Sequence, residues 1–119
     1  MDRQDSFNLD EALARIDGDR ELFGALVEMF LEESPKEFAA AQAALTRQDA
    51  TGLASAAHKL KGSVMQFCAP RLLEQVKQLE ELGRKGEVAT AGPVCAFVET
   101  GLAELHHALR AAIGSGLQS

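Results

Sequence analysis

Apolar side chains recur every three to four residues along most of this 119-residue chain, which is the spacing of helices that bury one face. Turn residues and helix caps divide the pattern into five segments. The predicted helices run from about Leu9 to Ile16, from the cap Asp19 to about Gln48, from about Ala50, capped by Asp49, to Phe67 or Cys68, from Pro70 to Gly83–Gly86, and from Glu87 or Pro93 to just before Gly114.

Two sequence patterns typical of helix starts occur in the first half of the chain. Asn8, with Glu11 three residues later, resembles a capping box at the start of the short first helix. Within the second helix, Ser34 precedes Pro35 and is followed by Glu37, which is the S-x-x-E pattern. Proline is tolerated in the first turn of a helix but not in its interior. The second helix is therefore predicted to kink or restart at Ser34–Pro35.

Connections of a few residues between amphipathic helices make neighbouring helices antiparallel. The predicted fold is all-α, an up-and-down antiparallel four-helix bundle with a short N-terminal helix that caps one end. We expect one domain over residues 7–113, a flexible N-terminus at residues 1–6 and a flexible tail at residues 114–119. The length suits a single domain.

Composition narrows the possible functions. The formal net charge of −6 argues against nucleic-acid binding, which requires a basic face. No apolar run approaches the roughly 20 residues of a membrane span, and the N-terminus has no signal-peptide core. Cys68 and Cys95 lack metal-ligand spacing, so we expect reduced thiols in a cytoplasmic protein.

The third helix carries chemistry on the face opposite its core stripe. Gly62 costs about 1 kcal/mol relative to alanine in a helix interior, so its place one turn after His58 needs a reason. A missing side chain there lets another surface approach the imidazole. The core stripe consists of Leu53, Ala56, Leu60, Ser63, Val64 and Phe67, and the opposite strip of Thr51, Ala54, Ser55, His58, Lys61, Gly62 and Met65.

The segment AHKLKGS, from Ala57 to Ser63, resembles the signature of histidine-containing phosphotransfer (HPt) domains. The runs FNLDEAL, MFLEESP and LLEQVKQLEELGR extend the resemblance from about Phe7 to Ile113. Two positions depart from the family pattern, since Cys68 replaces a usual glycine and Met65 a smaller residue. These departures bear on how partners fit the surface.

A neutral imidazole is a competent nucleophile near physiological pH, because histidine titrates at about 6.5. The nitrogen Nε2 of His58 projects farthest and is predicted to attack phosphorus, with Lys61 and more distant Lys59 screening the added charge. Glu80 falls within the apolar arc of the fourth helix, where a carboxylate needs a partner. It could hold Nδ1 of His58, as the resemblance also implies, or reach solvent or Lys77, and both readings stay open.

The chain lacks a nucleotide-binding G-x-x-x-x-G-K-[ST] loop and an obvious carboxylate cluster for Mg²⁺. It is therefore predicted to be no enzyme and to hold no cofactor or metal. The resemblance implies that Mg²⁺ and the catalytic acids belong to a response-regulator receiver domain, whose aspartate exchanges phosphoryl groups with His58. A sensor (hybrid) histidine kinase is the other implied partner. We expect the protein to be a monomer. The predicted surface on which its partners dock contains Ala54, Ser55, Gly62 and Met65.

Three other interpretations place a similar histidine or helix pattern in a different function. A helical adaptor would use the same bundle with an inert His58. A metal-binding bundle would use the E-x-x-H pair Glu104 and His107, but ferritin-like sites need two such pairs and further glutamates. A phosphatase or kinase dimerisation domain also places a histidine on a bundle helix, but the chain is too short to hold an adjoining ATPase domain.

Overall fold

The computed structural model describes residues 7–116. Within this range the regular elements are helical and no strand occurs. The predicted flexible N-terminus and residues 117–119 of the predicted tail lie outside the described residues. The elements are α1 (Leu9–Ala14), α2 (Arg20–Thr46), α3 (Ala50–Val64) with a following 3₁₀ turn (Met65–Phe67), α4 (Pro70–Lys85), a 3₁₀ turn (Val88–Thr90), α5 (Ala91–Ala111) and a terminal π-helical segment (Ala112–Gly116).

Helices α2 to α5 form the predicted up-and-down four-helix bundle. Helix α3 packs against α2 and α4, and α5 closes the bundle by packing against α4 and α2. The connections are short: three residues join α2 to α3, and the longer links contain the 3₁₀ turns. Helix α1 contacts the turn after α3 and so covers one end, as predicted.

The apolar stripes of the helices meet in one core. The 3₁₀ turn after α3 places Phe67 in the centre of an aromatic cluster, with its ring centroid 5.1 Å from that of Phe30 and 5.9 Å from that of Phe23. The predicted core stripe of α3 is buried except at Ser63, which is half-buried and donates a hydrogen bond to Glu37. Fully buried side chains of the core include Phe23, Val27, Leu53, Leu60, Val64, Phe67, Val76, Leu79, Val98, Leu105 and Leu109.

The predicted caps at the starts of α1, α2 and α3 are present. Asn8, Asp19 and Asp49 each accept a hydrogen bond from the backbone N–H three residues later, at 2.9–3.0 Å. These bonds satisfy amide groups that have no partner inside the first helical turn. Helix α1 ends at Ala14, two residues before the predicted end, and α5 begins at Ala91, between the two predicted starts.

Helix α2 does not restart at Ser34–Pro35, and that part of the prediction is wrong. The helix is continuous from Arg20 to Thr46, with Pro35 inside it. Proline removes a hydrogen bond there, but Phe30 before it and Phe38 after it are buried in the same core. Ser34 caps nothing; it is completely buried, and its Oγ lies 2.8 Å from Nε2 of His106 on α5.

The half-buried partner of Ser34, His106, makes the stability of the bundle depend on pH. Burial, with a smaller contribution from Arg110, lowers the pKa of His106 below its ordinary 6.5. The unfolded chain therefore takes up a proton that the folded chain resists, so this contribution to stability is complete above pH 6.5 and is lost as the pH falls towards the folded-state pKa. Chemical denaturation between pH 7 and 5 should show stability falling less steeply in His106→Gln than in the wild type.

His107 provides the control for this measurement. It is the exposed neighbour of His106, and His107→Gln removes a histidine without touching the bond to Ser34. We expect that variant to keep the wild-type slope. An identical slope in His106→Gln would show that His106 is not the source of the pH dependence.

Cys68, which replaces the usual glycine of the resembled family, has a left-handed backbone conformation. Cys68 ends the 3₁₀ turn after α3 with φ of +53°, and its carbonyl accepts a hydrogen bond from the N–H of Asn8 at 3.2 Å. Glycine adopts this left-handed conformation at no steric cost, which explains why it suits this position. The half-buried cysteine side chain packs against the core instead.

One prediction about hydropathy needs correction. The helical stretch Val88–Gly114 is long and apolar enough to cross a membrane by those two criteria, with a mean hydropathy of 1.2 over an 18-residue window. Its inward face, however, is part of the bundle core, where Val98, Leu105 and Leu109 are completely buried. A core helix of a globular bundle meets the same criteria, so length and hydropathy do not assign this stretch to a membrane.

Candidate functional site

His58 stands in the middle of α3 on the side away from the core. Leu53 and Leu60 point inward and are completely buried, so the opposite face of α3, which carries His58, points outward. The imidazole is 62% exposed, and an added Cβ on Gly62, one turn later, would meet no atom within 4 Å. The ring is therefore open to a large partner.

Glu80 on α4 supports the imidazole from beneath. Its side chain is only 5% exposed, and its Oε2 lies 3.0 Å from Nδ1 of His58. Its Oε1 lies 2.8 Å from Nζ of Lys61. The contact with His58 left open above is present, and Glu80 does not reach solvent or depend on Lys77.

The charge state of Glu80 decides which nitrogen of His58 carries hydrogen. Burial raises the pKa of Glu80, but hydrogen bonds from Lys61, Arg84 and His58 outweigh burial and bring the pKa to about 2. An ionised carboxylate can only accept hydrogen bonds, so Nδ1 is the donor. In the neutral ring, Nε2 then keeps its lone pair, on a side chain that is 62% exposed.

A close approach of the two helices brings these groups together. A Cβ on Gly83 of α4 would lie 2.7 Å from the backbone nitrogen of Ala54 and 2.9 Å from its Cα, so only glycine allows this crossing. Gly83 follows Glu80 by one turn, and Ala54 precedes His58 by one turn. The close contact between Gly83 and Ala54 therefore sets the distance between α3 and α4, which Glu80 spans to reach His58. The predicted end of α4 at Gly83–Gly86 is confirmed: the helix ends at Lys85, and Gly86 caps it with φ of +75°.

Arg84 was missed by the sequence analysis. Its Nη2 and Nε both donate to Oε2 of Glu80, with the Nε distance 3.1 Å. It lies four residues after Glu80 on the same helix, and that i,i+4 spacing of opposite charges could have revealed it. The site therefore places two cationic side chains, Lys61 and Arg84, and one carboxylate, Glu80, around the imidazole of His58.

The other predicted site residues lie on two different sides of His58. Lys61, with a side chain 24% exposed, lies on the α4 side and is engaged by Glu80. Lys59 and Ser55 instead line a groove between α3 and α2. Of the predicted docking residues, Gly62 and Met65 are exposed, with Met65 at 49%, while Ala54 is half-buried because α4 crosses it.

The pair Glu104 and His107 gains no further ligand. Across the described residues, no three histidine, cysteine, aspartate or glutamate side chains are grouped so that they could hold a metal ion. The adjacent His106 points into the bundle, towards Ser34 and the ring of Phe30. Among the described residues, the E-x-x-H pair is therefore not part of a group of side chains that could bind a metal ion.

Comparison with known proteins agrees with this arrangement. The family model described as the Hpt domain matches residues 25–112, well over half of the chain. The HPT domain of an Hpt sensor hybrid histidine kinase from Shewanella has the same fold, with a TM-score of 0.85 at 20% sequence identity, and the match covers 98% of this chain and 99% of that one. No curated protein matches the chain. The chain therefore belongs to the histidine-containing phosphotransfer (Hpt) domain family.

Proposed function

We propose that Nε2 of His58 is the atom through which this domain accepts and donates phosphoryl groups. Hpt domains are phosphotransfer modules of two-component signalling, and as one of them the chain is a phosphorelay intermediate. The observation that supports His58 as the acceptor is its hydrogen bond to buried Glu80, because that bond places the hydrogen on Nδ1 and leaves the lone pair on Nε2 of a side chain that is 62% exposed.

The proposed step is a displacement at phosphorus. The lone pair of Nε2 forms an N–P bond while the bond between phosphorus and the aspartyl oxygen of a receiver domain breaks. The electron pair of that bond stays with the aspartate, which recovers its carboxylate charge. The proton on Nδ1 stays in place, and the positive charge that develops on the ring faces the ionised Glu80.

Positive side chains flank the position of the incoming phosphate on both sides. Lys61 lies on the α4 side of His58, and Lys59 lies on the α2 side. Their charges favour a phosphorylated ring, which carries added negative charge. Because these residues are surface or partly buried cations, we assign them to electrostatic support and not to bond breaking.

The rest of the machinery is proposed to belong to the partners. Hpt domains work with receiver domains and histidine kinases. In this proposal the receiver supplies Mg²⁺ and the catalytic acids, and the Hpt domain binds neither nucleotide nor cofactor. We further propose a cytoplasmic monomer, which fits the two free thiols and the negative net charge.

Mapping the phosphorylated residue tests the proposal. The purified domain would be incubated with receiver domains that have been phosphorylated on aspartate, and its peptides examined by mass spectrometry under alkaline conditions that preserve phosphohistidine. We expect one acid-labile phosphoryl group on the peptide that contains His58. The chain has three histidines, so phosphate on His106 or His107, or none from any receiver, would contradict the assignment.

The docking role of Gly62 leads to a further prediction. An added Cβ at Gly62 meets no atom within 4 Å and Gly62 is exposed, so Gly62→Arg should fold normally. A long side chain one turn from His58 should nevertheless obstruct the receiver and lower the transfer rate about tenfold or more, as loss of a central interface contact does. Rapid-quench assays of label transfer measure this rate.

Gly92 offers a matched control for Gly62. It is also an exposed helical glycine with open space around its Cβ position, but it lies on α5, which packs against α2 and α4. Gly92→Arg should transfer at the wild-type rate. Normal transfer by Gly62→Arg, or equal losses in the two variants, would remove the argument for docking over Gly62.

A further inference from the structure

Arg84 and His58 share one oxygen of Glu80. Lys61 occupies Oε1, whereas the Nδ1–H of His58 and two N–H groups of Arg84 converge on Oε2. The three donors come from two helices, and they surround a carboxylate that is 5% exposed. The oxygen that orients the imidazole is thus the oxygen that Arg84 holds.

Lys61 by itself leaves this oxygen incompletely held. An ammonium group on Oε1 acts as a point charge without a preferred plane, so the carboxylate can still rotate about its last bond. The guanidinium is planar and rigid, and its two donors define where Oε2 lies. Helix α4 sets this geometry locally, because Arg84 follows Glu80 by four residues.

Arg84 contributes little to packing. Its side chain is 60% exposed, so its removal would leave no cavity in the bundle. An effect of its removal on His58 would therefore be transmitted through Glu80. This separates the role of Arg84 from that of the buried core residues.

We propose that Arg84 is a positioning residue for phosphoryl transfer: it fixes Oε2 of Glu80 and so keeps the hydrogen of His58 on Nδ1. The proposal rests on the proposed role of His58 as the phosphoryl acceptor. Without Arg84, the carboxylate of Glu80 samples more orientations. The Nε2–H tautomer of the neutral ring then becomes more populated, so fewer molecules present a free lone pair at Nε2.

The test measures the tautomer and the chemistry separately, without a protein partner. Two-bond ¹H–¹⁵N correlation spectra report which nitrogen of His58 carries hydrogen, at a pH where the ring is neutral. Phosphoramidate serves as the phosphoryl donor; its N–P bond breaks, ammonia leaves, and the phosphoryl group passes to Nε2. In Arg84→Ala we expect a smaller Nδ1–H population and phosphorylation about two- to fivefold slower, the range typical of a partly exposed ion pair.

Two variants sharpen the result. Arg84→Lys keeps the charge but loses the planar fork, so it should recover part of both effects. Lys85→Ala is the matched control: Lys85 is the next residue, is exposed, and pairs with Glu81 at 3.6 Å, so its removal deletes an i,i+4 ion pair without touching Glu80. That control should match the wild type in both measurements.

The outcomes are distinguishable. An unchanged tautomer population in Arg84→Ala overturns the proposal, and so does a slower transfer from receiver domains that appears without a tautomer change, since that pattern indicates a docking contact. If the wild type accepts no phosphoryl group from any donor, the proposed function fails. The tautomer measurement then still decides whether Arg84 positions Glu80.

Discussion

Replacing His58 with glutamine is expected to abolish phosphoryl acceptance while leaving the bundle intact. Glutamine is similar in size and polar, and the imidazole it replaces is 62% exposed, so the core is not disturbed. The amide nitrogen of glutamine is not a nucleophile, and no N–P bond can form at this position. Label transferred from phosphorylated receivers should fall to the level of a reaction without the protein.

His107→Gln is the control for this experiment. His107 is an exposed histidine on α5, so it tests whether exposure alone makes a histidine an acceptor. We expect its loss to leave transfer unchanged, because the support that Glu80 gives to His58 is what distinguishes the two rings. Label retained in His58→Gln would refute the assignment and favour the adaptor interpretation, in which His58 is inert.

Replacing Gly83 with alanine is expected to destabilise the bundle and disturb the site together. The new Cβ would lie within 3 Å of backbone atoms of Ala54, and backbone cannot move aside as a flexible side chain can. Overpacking of this kind costs about 1–3 kcal/mol, more than the roughly 1 kcal/mol that alanine returns through helix propensity. Denaturant unfolding measures the change in the free energy of unfolding.

Gly62→Ala makes the same chemical change in a helix interior where an added Cβ has open space. That variant should be more stable than the wild type by about 1 kcal/mol. The difference between the two variants isolates the close approach of α3 and α4 from helix propensity. Equal effects in both would show that the approach at Ala54 imposes no steric limit.

The Gly83 variant also tests the link between packing and chemistry. Separation of α3 from α4 at Ala54 should lengthen the distance from Glu80 to Nδ1 of His58, because both residues lie one turn from the contact. The Nδ1–H population of His58 should then fall even in molecules that remain folded. A wild-type tautomer population in folded Gly83→Ala would show that Glu80 reaches His58 independently of the helix spacing.

Much of the site could be predicted from the sequence because its signals are local. The period of apolar residues placed His58 opposite the core stripe of α3, and the caps at Asp19 and Asp49 marked helix starts three residues from their hydrogen-bond partners. Glu80 was recognised as a carboxylate on an apolar face that needed a partner. Its choice between His58 and solvent could not be made from one helix.

The failures share a cause. Ser34 reads as a cap within its own segment, but it bonds to His106, 72 residues later, once α2 and α5 are packed. The predicted end of α4 at Gly83–Gly86 did not distinguish Gly86, which caps the helix, from Gly83, which is the contact at which α4 crosses α3. Both residues have an ordinary local signature and a tertiary role.

The sequence by itself determined the helices, their buried faces and the exposed histidine, since periodicity and capping act over a few residues along one chain segment. Only the tertiary structure decided that Glu80 lies beneath His58, that Lys61 and Arg84 keep it ionised, and that Gly83 sets the distance. Those contacts depend on how far one helix slides along another, and the apolar stripes of α3 and α4 can bury each other at more than one such position. The close fit of Gly83 against Ala54 selects the position that places the carboxylate at Nδ1.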